Sequence, residues 1–335
     1  MLRALHRLLS VPDKLAMLGL VRGMASQVQM MTISALHRAD VLGHLDKPKS
    51  LEELISLTPC TAEEPLRHLL NLAVKRRVLA CRDGRYIARS RLAKTLARDA
   101  QGPVASMLQE VTTYHHEVFD QLPQLLQGAE PLALLDKYGE VVAQSSRIMG
   151  PWIRSFTAAI LGQEQGRNIL ELGCGSGEYL HGYSELHNAH RGIGIDYDPG
   201  VVRAAQRLLA DANLQDRFSV QEADMRDPTT WPTGPFDVVT AHQNVYYFDA
   251  NERQGLWQRC REHLTQHGEL VLVTPTSGGP MSDYFSLILL STSGCHRLPS
   301  VDVLLEELKA AGFRDLRQER LIPGDAVWGI TARSR

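Results

Sequence analysis

After Gly166 the chain settles into a rhythm that few folds can satisfy. Short apolar runs, "NILELG" (168–173), "RGIGID" (191–196), "FSVQEAD" (218–224), "FDVVTAH" (236–242) and "GELVLVTP" (268–275), are separated by stretches of helical spacing such as "DPGVVRAAQRLLADA" and "NERQGLWQRCREHLTQHG". Strands that are apolar almost throughout bury both faces, and parallel neighbours need a crossover helix between them. The alternation therefore predicts an open, parallel α/β sheet with helices on both faces. Two further runs, "DLRQERLI" and "AVWGITAR", are joined at Pro323-Gly324, too short a connection for a crossover, so one of them is expected to pair antiparallel.

The preceding part of the chain reads differently. In "ASQVQMMTISALHRADVLGHL", Val28, Met31, Ile33, Leu36, Ala39 and Leu42 recur at three- and four-residue steps, which predicts one buried stripe along a helix. A short helix follows, opened by Ser50 with Glu53 three residues on, then a turn at Thr58-Pro59, then a helix from Thr61 with Glu64 in the same relation. The run "VLACRDGRYIA" places Asp83-Gly84 between two apolar stretches, a hairpin signal. Helix, turn, helix and two-stranded wing is the order of a winged helix. From about 91 to 165 the pattern is helical again. "LLQG" and "LLDKYGE" mark helix ends, and "SSRIMGPWIRSFTAAILG" reads as one apolar helix. The expected organisation is a winged-helix domain over 1–100, a helical linker and pocket lid over 101–165, and the α/β domain over 166–335.

"ELGCGSGEYL" closes the first strand and opens the next helix. Gly173, Gly175 and Gly177 remove side chains where the backbone must turn sharply. Open α/β sheets bind ligands in the crevice at the carboxyl ends of their strands. The spacing is G-x-G-x-G, with Glu178 where a dinucleotide fingerprint has its third glycine, which disfavours a pyrophosphate cradle. Three acids sharpen the ligand. Glu171 precedes the glycines and can face an ammonium or orient the loop. Asp196 ends the second strand and can accept both ribose hydroxyls, and Asp224, ending the third, can hold an adenine that Met225 covers. The ligand is thus read as a nucleoside with a cationic amino-acid arm.

In this order and spacing, "ELGCGSG", "GIDYD", "EADM" and the "FDVV" strand make residues 168–335 resemble the class I S-adenosylmethionine-dependent methyltransferases. The resemblance implies a Rossmann-like, seven-stranded α/β methyltransferase domain with S-adenosyl-L-methionine as cofactor. It also implies that Asp196 takes the ribose hydroxyls, that Tyr197 flanks the adenine, and that Asp224 and Met225 contact it. The front half is similar, by pattern more than by residue, to the winged-helix dimerisation domain of small-molecule O-methyltransferases. This implies a homodimer and a small-molecule acceptor of secondary metabolism.

The family's general base departs from expectation. Without gaps from Asp237, its histidine falls on Tyr246, the neighbour on Tyr247 and the following aromatic on Phe248. Tyrosine, with an ordinary pKa near 10, is a poor base at neutral pH. Alignment of nucleophile and methyl group can by itself supply roughly 7 to 11 kcal/mol of barrier reduction, and a base adds about 10²- to 10⁴-fold. Loss of the histidine is therefore compatible with an enzyme whose acceptor is already nucleophilic: an acidic phenol, a thiolate, an amine or an electron-rich carbon. Tyr246 is read as catalytic or substrate-orienting, or else as an aromatic at the pocket lip. His242, one step past its strand, is read as cofactor-adjacent and as an alternative base, or else as a hydrogen-bonded strand-end residue. Asp249 with Glu252 reads as a helix cap.

Other readings complete the candidate set. His115 and His116 in "TYHHEVF" are adjacent on a helix and do not face one another, so no metal site is expected; lining of the acceptor pocket is their functional reading. Met149 and Trp152 are read as core residues or acceptor contacts, with Tyr247 beside Tyr246 as another contact. "MSDYFSLILLSTSGCHRLPS" reads as a pocket wall, and Cys174 shows no sign of a reactive thiolate.

Composition narrows the functional classes. The 335 residues carry a formal net charge of −2, so no global attraction to nucleic acid or anionic membrane is built in. A winged helix can serve a transcription factor, but its second helix begins with Glu63 and Glu64, which would meet phosphate badly. Nucleic acid and membrane are therefore not expected partners. The second rival is a cofactor-binding protein without catalysis. Five scattered cysteines with no C-x-x-C pair suggest a reducing cytoplasm. The opening "MLRALHRLLSVPDKLAML" is interrupted by Arg3, His6, Arg7, Asp13 and Lys14, unlike a signal peptide.

Overall fold

A computed structural model describes residues 12–162 and 165–334; most of the opening segment weighed above as a leader, residues 1–11, lies outside them. The described chain divides into two compact units. One comprises residues up to His116 together with Glu140–Ser145, and the other Glu117–Gly139 with Ser146 onward. The segment read as a linker thus contributes to both units.

In the first unit, α1 (Lys14–Arg38) is followed by a single 3-10 turn at Leu42–His44, α2 (Leu51–Leu57), α3 (Glu63–Lys75), β1 (Leu79–Arg82), β2 (Arg85–Ala88), α4 (Arg91–Arg98) and α5 (Pro103–Thr112). The first element departs from its predicted stripe. Ile33 and Leu36 are buried, but Met31 is 60% exposed, and Leu42 lies beyond the helix in the 3-10 turn. Asp40, with φ of 57°, breaks the helical path between them. The cap of α2 forms as read: Ser50 accepts from the Glu53 amide, and the Ser50 amide donates to the Glu53 carboxylate. The second box does not form, because α3 starts at Glu63 behind Ala62 and has no side-chain cap. Pro65 supplies the reason. With Thr61 as cap, residue 65 would have to donate the first helical hydrogen bond, and proline has no N–H; the bond comes instead from Leu66 to Ala62. In the hairpin Asp83 and Gly84 both take positive φ, 51° and 73°, as a type I′ turn requires. Ile33, Leu36, Leu54, Leu70, Leu79 and Leu96 are among the side chains of the unit's core.

Two of the next three helices depart from the reading. α6 (Tyr114–Leu125) ends on the first residue of "LLQG", as expected, whereas "LLDKYGE" holds the start of a helix and not its close, because α7 runs from Leu135 to Ser146 through Gly139. The apolar helix after it is interrupted by a 3-10 turn at Arg147–Met149, and α8 (Gly150–Leu161) starts anew. Pro151 in its first turn cannot donate a backbone bond to the preceding turn.

The second unit holds a seven-stranded sheet in the order β5-β4-β3-β6-β7-β9-β8. Its strands are β3 (Asn168–Leu172), β4 (Arg191–Asp196), β5 (Phe218–Glu222), β6 (Phe236–His242), β7 (Leu264–Pro275), β8 (Arg314–Arg320) and β9 (Val327–Arg333). Pairs among β3 to β7 are parallel, whereas β9 runs antiparallel to both β7 and β8. The crossovers are α9 (Glu178–Leu186), α10 (Pro199–Asp211), α11 (Ala250–His263), and α12 (Pro280–Leu290) with α13 (Val301–Ala310).

Period-two alternation distributes the strands between two cores. Leu170, Leu172, Val239, Ala241, Leu270 and Leu272 face Leu256, Trp257, Leu304 and Leu308 of α11 and α13. Ile169, Val238, Val271 and Val273 face Ile153, Leu180, Val202 and Ala205 of α8, α9 and α10. Asp249 and Glu252 form the expected capping box at the head of α11. Among the described residues no helix is long and apolar enough to cross a membrane.

Candidate active site

The carboxyl ends of β3, β4, β5 and β6 converge on one edge of the sheet because these strands are mutually parallel. β3, at their centre, delivers the glycine loop. Gly173, Gly175 and Gly177 adopt φ of 61°, 53° and 80°, values that side-chain-bearing residues rarely take. The three differ in surroundings. A Cβ on Gly173 would lie 3.1 Å from Nδ2 of Asn244, and one on Gly177 3.1 Å from the Cβ of Ala205. A Cβ on Gly175 would meet nothing within 4 Å. The loop thus packs at its ends and leaves its middle open.

Asp196, the last residue of β4, clasps this loop. Its Oδ2 accepts from the Gly175 amide at 3.0 Å, and its Oδ1 accepts from the Asp198 amide at 3.1 Å. Burial pushes its pKa upward, opposed by these backbone donors. Tyr197, beside it, is 73% exposed.

Glu171 lies beneath the loop, and its Oε2 has no hydrogen-bond partner among the described residues. Buried polar atoms are almost always paired, so a solitary one asks for a donor. Burial, reinforced by the charge of Asp196, holds its carboxyl well above the ordinary carboxylate range. Burial likewise raises the Cys174 thiol, as expected of an unreactive cysteine.

β5 stops at Glu222, so Asp224 and Met225 stand in the loop beyond the strand rather than at its end. Ala223 donates to the Asp196 carbonyl at 2.9 Å, which ties this loop to β4. Asp224 is exposed, and its Oδ1 accepts from the Arg226 amide at 2.8 Å.

His242 is the last residue of β6 rather than one step past it, and it is buried. Its Nε2 lies 3.0 Å from the Tyr183 hydroxyl, and the Tyr179 ring meets it edge-on at 5.3 Å. Burial pushes its pKa down to about 3. The chain then reverses at Gln243, whose positive φ of 59° stores strain of the sort found at functional turns. Asn244 donates through Nδ2 to the Leu172 carbonyl at 2.8 Å. A 3-10 turn over Val245–Tyr247 brings Tyr246 inward, where it is buried. Its ring stands edge-on to Phe285 at 5.3 Å and packs with Leu289 and Leu298; Tyr247 lies 4.8 Å from it.

The remaining candidates are scattered. Trp152, at the start of α8, is 39% exposed, so the core reading fails for it, and Met149 belongs to the 3-10 turn before the helix. His115, within the first unit, is buried with its Nε2 3.0 Å from Oε1 of Glu110, whose Oε2 accepts from Ser145. Among the described residues no group of three His, Cys, Asp or Glu could hold a metal ion. Sequence reasoning missed Tyr179, Tyr183, Asn244 and Arg226. The tyrosines carry a readable signal, an i, i+4 pair on the helix that the glycine loop opens. Asn244 and Arg226 carry none, since their partners are distant in sequence.

Residues 169–268 match the methyltransferase domain family. An rRNA N(6)-adenosine-methyltransferase (metl-5) of Caenorhabditis elegans is 31% identical over 76 residues, 22% of this chain and 36% of that protein. A ribosomal protein L11 methyltransferase of Xanthomonas oryzae pv. oryzae (strain MAFF 311018) is 31% identical over 106 residues, 31% of each chain. The match thus spans about a third of the length of these two relatives. Solved structures align over nearly the whole chain. The mitomycin 7-O-methyltransferase MmcR has a TM-score of 0.77 at 18% identity, covering 96% of this chain and 98% of that one. Human N-acetylserotonin methyltransferase has a TM-score of 0.75 at 16% identity, covering 97% and 100%. These likenesses are of fold. By the family match, residues 169–268 carry a methyltransferase domain, and the chain as a whole shares its fold with these two methyltransferases.

Proposed function

We propose that the protein transfers a methyl group from S-adenosyl-L-methionine to a small-molecule acceptor of secondary metabolism, and that the acceptor atom is already nucleophilic when it binds. The observation that carries this reading is the set formed by Glu171, the glycine loop and Asp196. A buried carboxylate oxygen without a partner, an open backbone at Gly175 and a carboxylate clasped to that backbone suit a ligand with an ammonium arm and a ribose. Bound there, S-adenosylmethionine supplies a methyl group on a sulfonium that an acceptor can displace directly.

The chain's own residues divide the remaining work. Asp196 keeps a lone pair on each oxygen for a ribose hydroxyl, and its two backbone donors fix its orientation. Glu171 offers the partnerless oxygen to the ammonium. Asp224 and Met225 hold the adenine from their loop, with Tyr197 exposed beside it. His242 is neutral and engaged with Tyr183, so it shapes the cofactor floor and takes no proton at neutral pH. Tyr246, wedged against Phe285 and Leu298, orients the acceptor in a site that excludes water, and Tyr247 flanks it. Alignment then supplies the larger part of the rate. The acceptor roles of His115, His116, Met149 and Trp152 rest on the family resemblance.

Homodimerisation through the first unit belongs to the same proposal. Leu15, Leu20, Val21, Met24 and Met31 are exposed along α1, an apolar surface that a second copy would cover. Five free cysteines suit a reducing cytoplasm.

The test pairs calorimetric titration of S-adenosylhomocysteine with incubation of the protein, labelled S-adenosylmethionine and panels of phenols, thiols, amines and electron-rich aromatics. Binding together with labelled product is the expected result and names the acceptor atom. Binding without product on any acceptor would support the rival, a cofactor-binding protein without catalysis.

A further inference from the structure

Tyr246 sits on a turn that is fastened to the cofactor side at both ends. At its start, Asn244 donates to the Leu172 carbonyl at 2.8 Å, next to Gly173, and its Nδ2 lies 3.9 Å from Sδ of Met225. Leu172's carbonyl fixes which end of the amide is the donor. At its finish stands Arg226, immediately after the loop that carries Asp224 and Met225. The Arg226 amide donates to Asp224 Oδ1 at 2.8 Å. Its guanidinium donates through Nη2 to the Tyr247 carbonyl at 2.5 Å and through Nε to Oε1 of Glu252 at 2.9 Å, and lies over the Phe248 ring at 4.6 Å. Glu252 in turn accepts the Asp249 amide through Oε2 at 2.8 Å, where the turn enters α11. A second arginine, Arg259 of α11, donates to the Met225 carbonyl at 2.9 Å.

One guanidinium therefore holds a backbone carbonyl of the Tyr246 turn, a carboxylate of the helix cap and an aromatic face, while its own backbone orients the acid expected at the adenine. A planar fork can serve all three at once, and an ammonium cannot. Arg226 and Glu252 are both substantially exposed, so screening makes the ion pair by itself a weak source of stability. The cluster is better explained by position than by stability.

We propose that Arg226 is a positioning residue that couples occupancy of the Asp224–Met225 loop to the placement of the Tyr246 turn, so that the acceptor side is set in order by the cofactor. The inference rests on the cofactor reading above. A loop that gains a ligand loses freedom, and the guanidinium passes that loss to the turn through the Tyr247 carbonyl and Glu252. Removal of the fork uncouples the two segments without removing any group assigned to hold the cofactor.

The experiment is amide hydrogen exchange, with and without saturating S-adenosylhomocysteine, on wild type, Arg226→Gln, Arg226→Lys and Glu252→Gln. Wild type should show ligand-dependent slowing both at 173–177 and at 244–249. Arg226→Gln should keep slowing at 173–177 and lose at least about fivefold of it at 244–249, with Arg226→Lys intermediate. Glu252→Gln, which keeps an acceptor for the Asp249 amide, should follow Arg226→Gln in kind and decides the matter where the arginine variants fail to fold. Slowing at 244–249 in the variants equal to wild type would overturn the coupling, as would its absence from wild type that binds the ligand. A wild type that does not bind S-adenosylhomocysteine at all, by calorimetry, would instead overturn the cofactor reading, and the coupling with it.

Discussion

The Tyr183 hydroxyl stands 3.0 Å from Nε2 of His242, with both side chains buried between α9 and the carboxyl end of β6. Burial raises the phenol's pKa far above its ordinary value and pushes that of the imidazole down to about 3. At neutral pH the phenol keeps its proton and the imidazole is uncharged, so the pair is a hydrogen bond between two neutral groups.

This pair predicts how stability responds to acid. The folded pKa of His242 lies below the ordinary value of 6.5, so the unfolded chain binds the extra proton first as pH falls. Its neutral burial therefore costs nothing above about pH 6.5, and stability drains away progressively between about 6.5 and about 3. Urea titrations over this window should show the midpoint falling less steeply with acid in His242→Gln than in wild type. Parallel curves would remove His242 from the account.

Glu171 carries the opposite sign. Its folded pKa is raised, so the stability of the ligand-free protein is fullest below the ordinary value of 4.5 and declines as pH rises toward the folded pKa. Glu171→Gln should melt higher than wild type at pH 8 and bind S-adenosylhomocysteine more weakly, about tenfold or more, as expected for the loss of one hydrogen bond to a charged group. A variant of lower thermal midpoint and unchanged affinity would assign Glu171 to the fold alone.

Asp196→Ala should abolish measurable cofactor binding. Two hydrogen bonds to a charged acceptor are together worth roughly 3 to 6 kcal/mol, or about 10²-fold and upward in affinity. Calorimetric titration with S-adenosylhomocysteine reads the outcome directly. Affinity close to wild type would overturn the cofactor assignment.

Tyr246→Phe should separate turnover from cofactor affinity. The ring contacts with Phe285 and Tyr247 survive the change, and only the hydroxyl is lost. With an acceptor from the panel, kcat should fall at least about tenfold, equivalent to roughly 1.4 kcal/mol of barrier, with cofactor affinity within about twofold. An unchanged rate would reduce the tyrosine to packing at the pocket lip.

How legible each feature was depended on how local its cause is. The hairpin at Asp83-Gly84 and the caps at Ser50 and Asp249 formed as read, because neighbouring residues alone decide them. The expected cap at Thr61 failed through Pro65, whose missing donor outweighs a favourable side chain four positions earlier. Trp152 reads as core from its apolar neighbours and yet is part exposed, because helical spacing shows that a face exists and not what lies against it.

The sequence by itself determined the parallel α/β sheet and the positions of Glu171, the three glycines and Asp196, since alternation of strand and helix and the conformational needs of a tight turn are written in consecutive residues. Only the tertiary structure decided that Tyr183 answers His242, that Asn244 holds the Leu172 carbonyl, and that Arg226 spans from the Asp224 loop to the Tyr246 turn. Those partners lie 59, 72 and 21 residues apart, and pairing at that distance is set by strand order, which brings β6 beside β3 although two strands and two helices separate them in the chain.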